Sequence, residues 1–322
     1  MGKLTLGLQL GYWGAQPQPN MVELAQEAER LNFDSVWVAE SWGNDCFTPL
    51  AWIGSQTSRI RRAMAAMAID HLSGGRMILG LGVSGPQVVE GWYGQPYSKP
   101  VTRTRDYVDI IRQVLARQAP VTSDSEFYPL PYHGPGAWGM GKPLKPIVHP
   151  LRADLPIFIG AEGPKNVEQT AEIADGWLPL YYSPYRQEVY ASQLRNARPG
   201  FEIPALVLCN INDNLDEALY PVKAMLGFYI GGMGSKARNF HKELMARMGF
   251  ADEAEQIQEL FFAGKRDEAI ALVPDAFADE ISLSGPRDRI KEKLRDWENS
   301  PVTSLLINGD TALLRAMAEL IN

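Results

Sequence analysis

The chain has 322 residues, of which 45% are hydrophobic, so it can bury a large core and has a length typical of an α/β barrel with insertions. Its net charge of −7 argues against nucleic acid or an anionic membrane surface as the main partner. The two cysteines, Cys46 and Cys209, lie far apart, which argues against a disulfide framework and favours a reducing cytoplasm. We expect no signal peptide and no membrane span, because no apolar run is long enough to cross a bilayer.

Strand and helix patterns alternate along the chain. Residues 4–10 alternate apolar and small residues and are followed by Gly11, which predicts a buried strand that runs into a loop. Asn20 can cap a helix over residues 21–31, and residues 35–39 form a short apolar strand. The same alternation predicts later strands at 77–83, 156–160, 176–180, 204–210 and 304–308, and helices at 103–117, 166–174 and 311–320. Repeated β–α units without a linker favour one (β/α)8 barrel domain over residues 1–322. An open doubly wound sheet is the alternative, but no GxGxxG sequence follows the first strand.

Two segments interrupt this alternation. Residues 122–155 are rich in proline, glycine and aromatic residues, which is typical of a lid or a binding loop. Residues 228–277 have a helical pattern throughout, which predicts a helical cap inserted between the last two barrel strands.

Polar and aromatic residues follow the first two predicted strands, at the end where parallel barrels carry their active sites. Glu40 follows the second strand, and its carboxylate can orient a cofactor, act as an acid or base, or form an ion pair with a neighbouring loop. Trp13 and Trp42 can stack on a flat ring, or else pack at the rim of the barrel. The residues at this end are mainly aromatic, small or amide side chains, which favours a flat, polar-edged ring system as the ligand.

Two glycine-bearing turns could bind phosphate. Ser84 and Gly85 follow a glycine-rich strand, and the turn at residues 160–166 (GAEGPKN) leads into a helix, where free backbone N–H groups attract anions. Each turn alone is a weak signal, and two in one barrel are a stronger one. His71, in the sequence DHLSGGR ahead of a strand, is interpreted as part of a structural turn at the opposite end of the barrel.

Three long motifs occur in one order along nearly the whole chain. They are FDSVWVAESWGNDCFTPLAWIG, DHLSGGRMILGLGVSGPQVVEGWYGQPY and PIFIGAEGPKNVEQTAEIADGWLPL. Together they resemble the luciferase-like monooxygenase superfamily. Within it, the chain is similar to the coenzyme F420-dependent oxidoreductases typical of actinobacteria.

This resemblance implies a (β/α)8 barrel with coenzyme F420, a deazaflavin, lying across the C-terminal mouth. It implies that Glu40 and Ser41 lie near the ring as the catalytic residues, with Trp13 and Trp42 as candidates for stacking. The residues implied to bind the cofactor are Val83, Ser84, Gly85 and Gln87 along its groove, and Gly160, Ala161, Glu162, Gly163 and Pro164 by its tail phosphate. The long loop and the helical cap would shape the substrate pocket, and a homodimer is expected.

The chain departs from the family at the third strand. Members of the family carry there a strand with an unusual cis peptide that supports the ring, whereas here residues 57–62 run directly into the sequence AMAAM. The sequence therefore predicts a barrel whose third strand is missing, which would leave unpaired sheet edges. Either the strand is truly deleted, which would impair cofactor binding, or the sequence omits a segment of the natural protein.

The sequence thus favours an oxidoreductase that transfers a hydride between reduced F420 and a small organic substrate. One alternative is an FMN-dependent monooxygenase of the same fold, which would need O2 and reduced flavin. Another is a non-catalytic protein that binds a deazaflavin or flavin, and the missing strand favours this reading. No spacing of histidines or cysteines suggests a metal site.

Overall fold

A computed structural model describes residues 4–11, 18–40, 45–57, 61–63 and 66–321, with only the backbone described at 61–63 and 66. The strands are β1 (Thr5–Gly11), β2 (Ser35–Val38), β3 (Arg61–Ala63), β4 (Met77–Gly82), β5 (Ile157–Gly160), β6 (Gly176–Leu178), β7 (Pro204–Leu206), β8 (Leu208–Ile211), β9 (Ser282–Gly285) and β10 (Ser304–Ile307). The helices are α1 (Met21–Arg30), α2 (Phe47–Ser55), α3 (Ala66–Ser73), α4 (Pro86–Gly91), α5 (Pro100–Ala116), α6 (Pro164–Ile173), α7 (Glu188–Leu194), α8 (Leu215–Gly232), α9 (Phe240–Arg247), α10 (Ala251–Phe262), α11 (Arg266–Leu272), α12 (Asp275–Glu280), α13 (Arg287–Glu298) and α14 (Thr311–Ile321). In the described part of the chain, no helix is both long enough and apolar enough to cross a membrane.

Eight of the strands form one sheet in which every neighbouring pair is parallel. Their order is β6-β5-β4-β3-β2-β1-β10-β7, while β8 and β9 form a separate parallel pair. The chain just before β7 also meets the opposite end of the sheet, because Trp177 N donates to Glu202 O at 2.9 Å and Glu202 N donates to Asp175 O at 3.0 Å. The predicted parallel α/β architecture is confirmed.

One face of the sheet carries a cluster of side chains from strands across the strand order. Trp37 of β2, Ile78 of β4, Phe158 of β5 and Leu306 of β10 are buried together, and the rings of Trp37 and Phe158 lie 5.8 Å apart. Leu178 and Leu206, from the two end strands β6 and β7, pack against this cluster. Side chains of both end strands therefore contribute to one core.

The outer face of the sheet is covered by amphipathic helices, whose packing includes one well-defined ion-pair network. Glu27 on α1 accepts hydrogen bonds from Arg30 on the same helix and from Arg315 on α14, so it links the first and last helices. The hydrogen bonds from Arg30, which have the largest effect, and from Arg315 lower the pKa of Glu27 from 4.5 to about 2. Asn20 occupies the predicted position before α1, but its side chain makes no capping hydrogen bond.

The sequence predicted that the third strand is missing, and this prediction was wrong, because the sheet contains a third strand. Arg61–Ala63 forms the short strand β3, which pairs with β2 on one side and with β4 on the other. Ser35 aligns with Arg61, and Arg62 aligns with Met77. A strand this short carries no periodic hydrophobic pattern, and pairing with both neighbours supplies the partners that its backbone needs. The sheet is therefore continuous, although its third strand has only three residues.

The two predicted insertions differ in character. Residues 122–155 contain no helix and only isolated β-bridges, such as Val121 to Leu144 and Ser123 to Leu130. The end of this segment is fixed by Arg152, whose guanidinium donates to both carboxylate oxygens of the buried Asp70 on α3. Residues 228–277 are largely helical, as predicted, and helices α8 to α12 connect β8 with β9.

Candidate active site

The carboxyl edge of the eight-stranded sheet, meaning the edge where its strands end, brings together residues that are distant in sequence. Because all its strands are parallel, the residues that follow them lie at one end of the sheet. Glu40 follows β2, Ser84 follows β4, Gly163 follows β5 and Tyr181 follows β6. The predicted residues of three separate turns therefore share this edge.

Strands β4 and β5 both end in a glycine. Gly82 and Gly160, the last residues of these strands, are aligned partners in the sheet. A Cβ atom added at Gly82 or at Gly163 would meet no atom within 4 Å. The two glycine-bearing turns are thus adjacent, and the space in front of them is open to a ligand.

The turn after β4 has a strained backbone. Ser84 has a φ of 56°, in the left-handed region that non-glycine residues rarely adopt, and its side chain is exposed. Its carbonyl oxygen accepts a hydrogen bond of 3.2 Å from the Tyr97 hydroxyl, whose pKa is raised by burial. Gly85 then precedes α4, and Gln87 is exposed. The strain is held in place by surrounding contacts, which is common at functional sites.

The turn after β5 leads into α6 with an open N-terminus. The residue before the helix is Gly163, which has no side chain to cap it, and Pro164 occupies the first turn. No acidic residue lies in that turn, and Lys165 is exposed there. Pro164 has no N–H and Asn166 N donates to Gly163 O at 2.9 Å, but the positive end of the helix dipole still favours an anion at this turn. This helix start can therefore bind a phosphate or a carboxylate.

The Glu162 side chain turns away from this helix start and contacts the helical segment. Its Oε1 lies 3.0 Å from His241 Nδ1 on α9, and Arg247 Nη2 donates to its backbone oxygen at 2.7 Å. The His241 ring lies edge-on against Tyr181 at 5.8 Å and Tyr229 at 5.0 Å. Glu162 thus joins α9 to the carboxyl edge through both its side chain and its backbone oxygen.

Glu40 is exposed at the end of β2, where the sequence predicted a functional carboxylate. Its Oε2 accepts hydrogen bonds from Cys46 N at 3.3 Å and from Cys46 Sγ at 3.1 Å. Burial and the neighbouring Glu40 carboxylate raise the pKa of Cys46 to about 12, so the thiol is a neutral donor. These contacts orient the Glu40 carboxylate while leaving it accessible to a ligand.

Three predicted site residues, Trp13, Ser41 and Trp42, lie outside the described residues. Val83 and Ala161 lie at the carboxyl edge as predicted, and the backbone oxygen of Ala161 accepts a hydrogen bond of 2.8 Å from the Trp177 indole. Within the residues that the structure describes, no three histidine, cysteine or acidic side chains cluster closely enough to hold a metal ion.

A cavity of about 230 Å³ opens beside the end of β4, and sequence reasoning did not predict it. It is lined by Leu81, Gly82, Val83, Val89, Tyr97, Ser98, Pro100, Arg103, Thr104, Tyr107 and Tyr128. Its wall thus combines the strand end, the start of α5 and Tyr128 of the long loop. A larger cavity of about 340 Å³ is lined by Lys236, Glu255, Gln258, Glu259, Phe262 and Ala263, with no strand residue, so it is not part of the carboxyl edge.

Sequence reasoning missed His241, Tyr229 and Arg103. His241 stood out only as one of four scattered histidines, and no spacing related it to Glu162. Arg103 appeared only as the first residue of a predicted amphipathic helix. Tyr181, which directly follows the predicted strand at 176–180, was the one sequence signal for the aromatic cluster around His241.

Comparison with known proteins agrees with this architecture. The family model for luciferase-like monooxygenases matches residues 5–67 and 61–304. A Mycobacterium tuberculosis protein named "Putative coenzyme F420-dependent oxidoreductase" is 48% identical over 343 aligned positions, which cover 99% of both chains. The chain therefore belongs to the luciferase-like monooxygenase family, and the prediction of an oxidoreductase of this family is confirmed.

Solved structures show the same fold. The coenzyme F420-dependent tetrahydromethanopterin reductase from Methanopyrus kandleri superposes with a TM-score of 0.76 at 21% identity, covering 99% of this chain and 97% of the other. The oxygenating constituent of 3,6-diketocamphane monooxygenase from Pseudomonas putida, solved with FMN, has a TM-score of 0.61 at 16% identity, covering 99% and 96%. Structures with this fold thus include proteins described with either cofactor.

The comparisons also bear on the third strand. The 343 aligned positions exceed the 322 residues of this chain, so the mycobacterial relative contains residues that this chain lacks. The family match is divided into two segments that overlap at residues 61–67, next to β3. The division of the match thus coincides with the shortened strand.

Proposed function

We propose that this protein is a coenzyme F420-dependent oxidoreductase that binds the cofactor at the carboxyl edge and reduces a small organic substrate. The relative at 48% identity supports the choice of F420 over FMN. We also propose a single domain, a closed (β/α)8 barrel with insertions at 122–155 and 228–277. The burial of side chains from both end strands in one cluster supports that closure.

The observation that carries the proposal is the pair of adjacent glycine turns. Gly82 and Gly160 are aligned partners, and the space in front of Gly82 and Gly163 is open. A flat ring with a phosphate-bearing tail needs a surface that side chains do not obstruct, next to backbone N–H groups that face an anion. The residues present at β4, β5 and the start of α6 fit that group.

Bound F420 would supply the hydride, and the protein would supply position and electrostatics. In this proposal the Ser84 and Gly163 turns hold the cofactor, with Val83, Gly85 and Gln87 along the groove and Gly160, Ala161, Glu162 and Pro164 around the phosphate. Glu40, with Ser41, acts at the ring, where a carboxylate oriented by Cys46 can position a group or exchange a proton. Trp13 and Trp42 are proposed to stack on the ring.

We further propose a cytoplasmic homodimer. Its support is the apolar surface of the long loop, where Trp138 is 87% exposed and Ile147 is 94% exposed. Large apolar side chains so exposed often mark protein interfaces. Light scattering of the purified protein would test this, and a monomer at micromolar concentration would contradict it.

The cofactor is tested by titrating the purified protein with F420 and with FMN while following tryptophan fluorescence. Trp177, which donates to Ala161 in the glycine turn, is placed to report binding. Gly82→Val and Gly163→Ala should weaken F420 binding about tenfold or more, since each new side chain enters the space proposed for the cofactor. Gly91→Val is the matched control, because a Cβ there also meets no atom within 4 Å but lies at the end of α4.

Tight FMN binding without F420 affinity would contradict the cofactor choice and favour the monooxygenase. Equal effects of the three glycine substitutions would contradict the proposed site. The shortened β3 supports a second candidate, a cofactor-binding protein without turnover. Two results together would support that candidate. The protein would bind F420, and Glu40→Gln would leave the rate at which it reduces carbonyl or enoyl substrates unchanged.

A further inference from the structure

The cavity beside β4 extends the carboxyl edge away from the glycine turns. Gly82 and Val83 belong both to the cavity wall and to the proposed cofactor groove. The rest of the wall comes from Leu81 of β4, from α4, from the loop between α4 and α5, from the first half of α5 and from Tyr128. A ligand in this cavity would therefore lie next to a cofactor held at the strand ends, where a substrate must lie.

Arg103 is the cationic residue of this wall and is held in a fixed orientation. Its Nη1 donates to Pro96 O at 2.8 Å and its Nε donates to the Tyr128 hydroxyl at 3.2 Å. The guanidinium also lies over the rings of Phe127, at 5.6 Å, and Tyr128, at 5.7 Å. A planar cation fixed on two rings and two hydrogen bonds is preorganised, so little side-chain entropy is lost when it binds.

The charge of Arg103 is not neutralised by a carboxylate among the described residues. The nearby Lys99 and Glu126 pair with each other at 2.8 Å, and Arg105, on the same helix, pairs with Glu172. The two hydrogen bonds of Arg103 go to neutral oxygens and use two of its five N–H groups. The remaining N–H groups can bind an anion, and a carboxylate fits their fork geometry.

Two of the hydroxyl groups of the wall already donate within the protein, while Ser98 and Tyr107 add two further hydroxyls. The Tyr97 hydroxyl donates to Ser84 O, and the Thr104 hydroxyl donates to Pro100 O. Leu81, Val83 and Val89 and the tyrosine rings leave an apolar space. Its volume of about 230 Å³ lies below the roughly 300–1,000 Å³ of sites for drug-sized ligands. The apolar lining and the single cation therefore favour a ligand with an apolar body and one anionic group, and the enclosed part of the cavity holds a small one.

We infer that this cavity binds a small organic carboxylate with an apolar or aromatic body, and that Arg103 recognises the carboxylate. The binding of a carboxylate is inferred from the cavity alone, and its role as the substrate of the oxidoreductase rests on the proposed function. Arg103 then determines specificity: it anchors the charged end, and the apolar part of the molecule extends toward the strand ends.

The test uses 4-fluorobenzoate and its neutral analogue 4-fluorobenzamide as probes, followed by fluorine NMR on the full-length protein. The wild type should bind the benzoate about tenfold or more tightly than the benzamide, as expected for charge-assisted hydrogen bonds. Arg103→Gln should remove this preference, and Arg103→Lys should retain part of it. Arg117→Gln is the matched control at the other end of α5, where the guanidinium donates to Pro146 O outside the cavity.

Equal binding of the two probes by the wild type, or a benzoate preference that persists in Arg103→Gln, would overturn the inference. So would competition between 4-fluorobenzoate and F420, because the cavity would then belong to the cofactor. Should Arg103→Gln fail to fold, a reduced benzoate preference in Arg103→Lys supports the inference, and an unchanged one refutes it. Absence of F420 binding with an intact benzoate preference would instead refute the proposed cofactor alone.

Discussion

Breaking the ion pair between Asp70 and Arg152 from one side should destabilise the protein more than breaking a surface pair of similar geometry. The Asp70 side chain is only 2% exposed, and it accepts hydrogen bonds of 2.8 to 3.2 Å from Arg152 and one of 3.3 Å from Met77 N. Arg152→Met would leave this carboxylate buried with one backbone donor. Breaking a buried pair on one side costs about 3–5 kcal/mol. At roughly 2–4 °C per kcal/mol for a chain of this order of size, the melting temperature should fall by about 6–20 °C.

The measurement is thermal unfolding at neutral pH with a surface pair as the control. Arg287 and Glu319 are even closer, at 2.6 Å, but their side chains are 48% and 67% exposed, so Arg287→Met should cost at most about 1 kcal/mol. The double variant Asp70→Leu with Arg152→Met should recover most of the loss, since it leaves no charge buried. If Arg152→Met destabilises the protein no more than Arg287→Met, burial does not control the cost of breaking this pair.

Three further predictions concern pH, thiols and helix packing. The pKa of Glu27 is lower in the folded protein than in the unfolded chain, so its contribution to the free energy of unfolding, of the order of 1 kcal/mol, is complete above pH 4.5 and is lost as the pH falls toward 2. In urea unfolding, Glu27→Gln should therefore lose less stability over that pH range than the wild type. Parallel losses in the two proteins would contradict this. Burial raises the pKa of both Cys46 and Cys209 to about 12, so neither should react with a disulfide reagent at pH 8 until urea is added; a rapidly titrating thiol in the native protein would be inconsistent with this. Gly231→Ala gains about 1 kcal/mol in helix propensity, but its Cβ would lie 2.5 Å from Phe261, and such overpacking costs about 1–3 kcal/mol, so the free energy of unfolding should fall rather than rise.

Much of the secondary structure could be predicted because its signals are local. The alternating pattern of residues 4–10 and the apolar, glycine-rich pattern of residues 77–83 each predicted a strand. Strands β1 and β4 begin and end within one residue of these ranges. β3 and β9 were not predicted, because a three-residue strand and the short sequence SLSG contain too few apolar residues for a period. Their strand conformation comes from hydrogen bonds to neighbouring strands.

The candidate site was predicted in part. The rule that functional residues follow the strands of a parallel barrel located Glu40, Ser84 and the Gly163 turn at one edge. It could not locate Arg103, which follows no strand, or His241, which comes from the helical segment and meets Glu162 only in the folded chain.

The sequence by itself determined most of the strands and helices, the residues that follow the longer strands, and the family. These depend on short-range periodicity and on contiguous motifs, which a linear chain displays directly. Only the tertiary structure decided that Gly82 lies beside Gly160, that Glu162 turns toward His241, and that Arg103 lines a cavity without a carboxylate partner among the described residues. Such relations depend on which distant segments pack together, and burial and charge pairing are properties of that packing rather than of any local pattern.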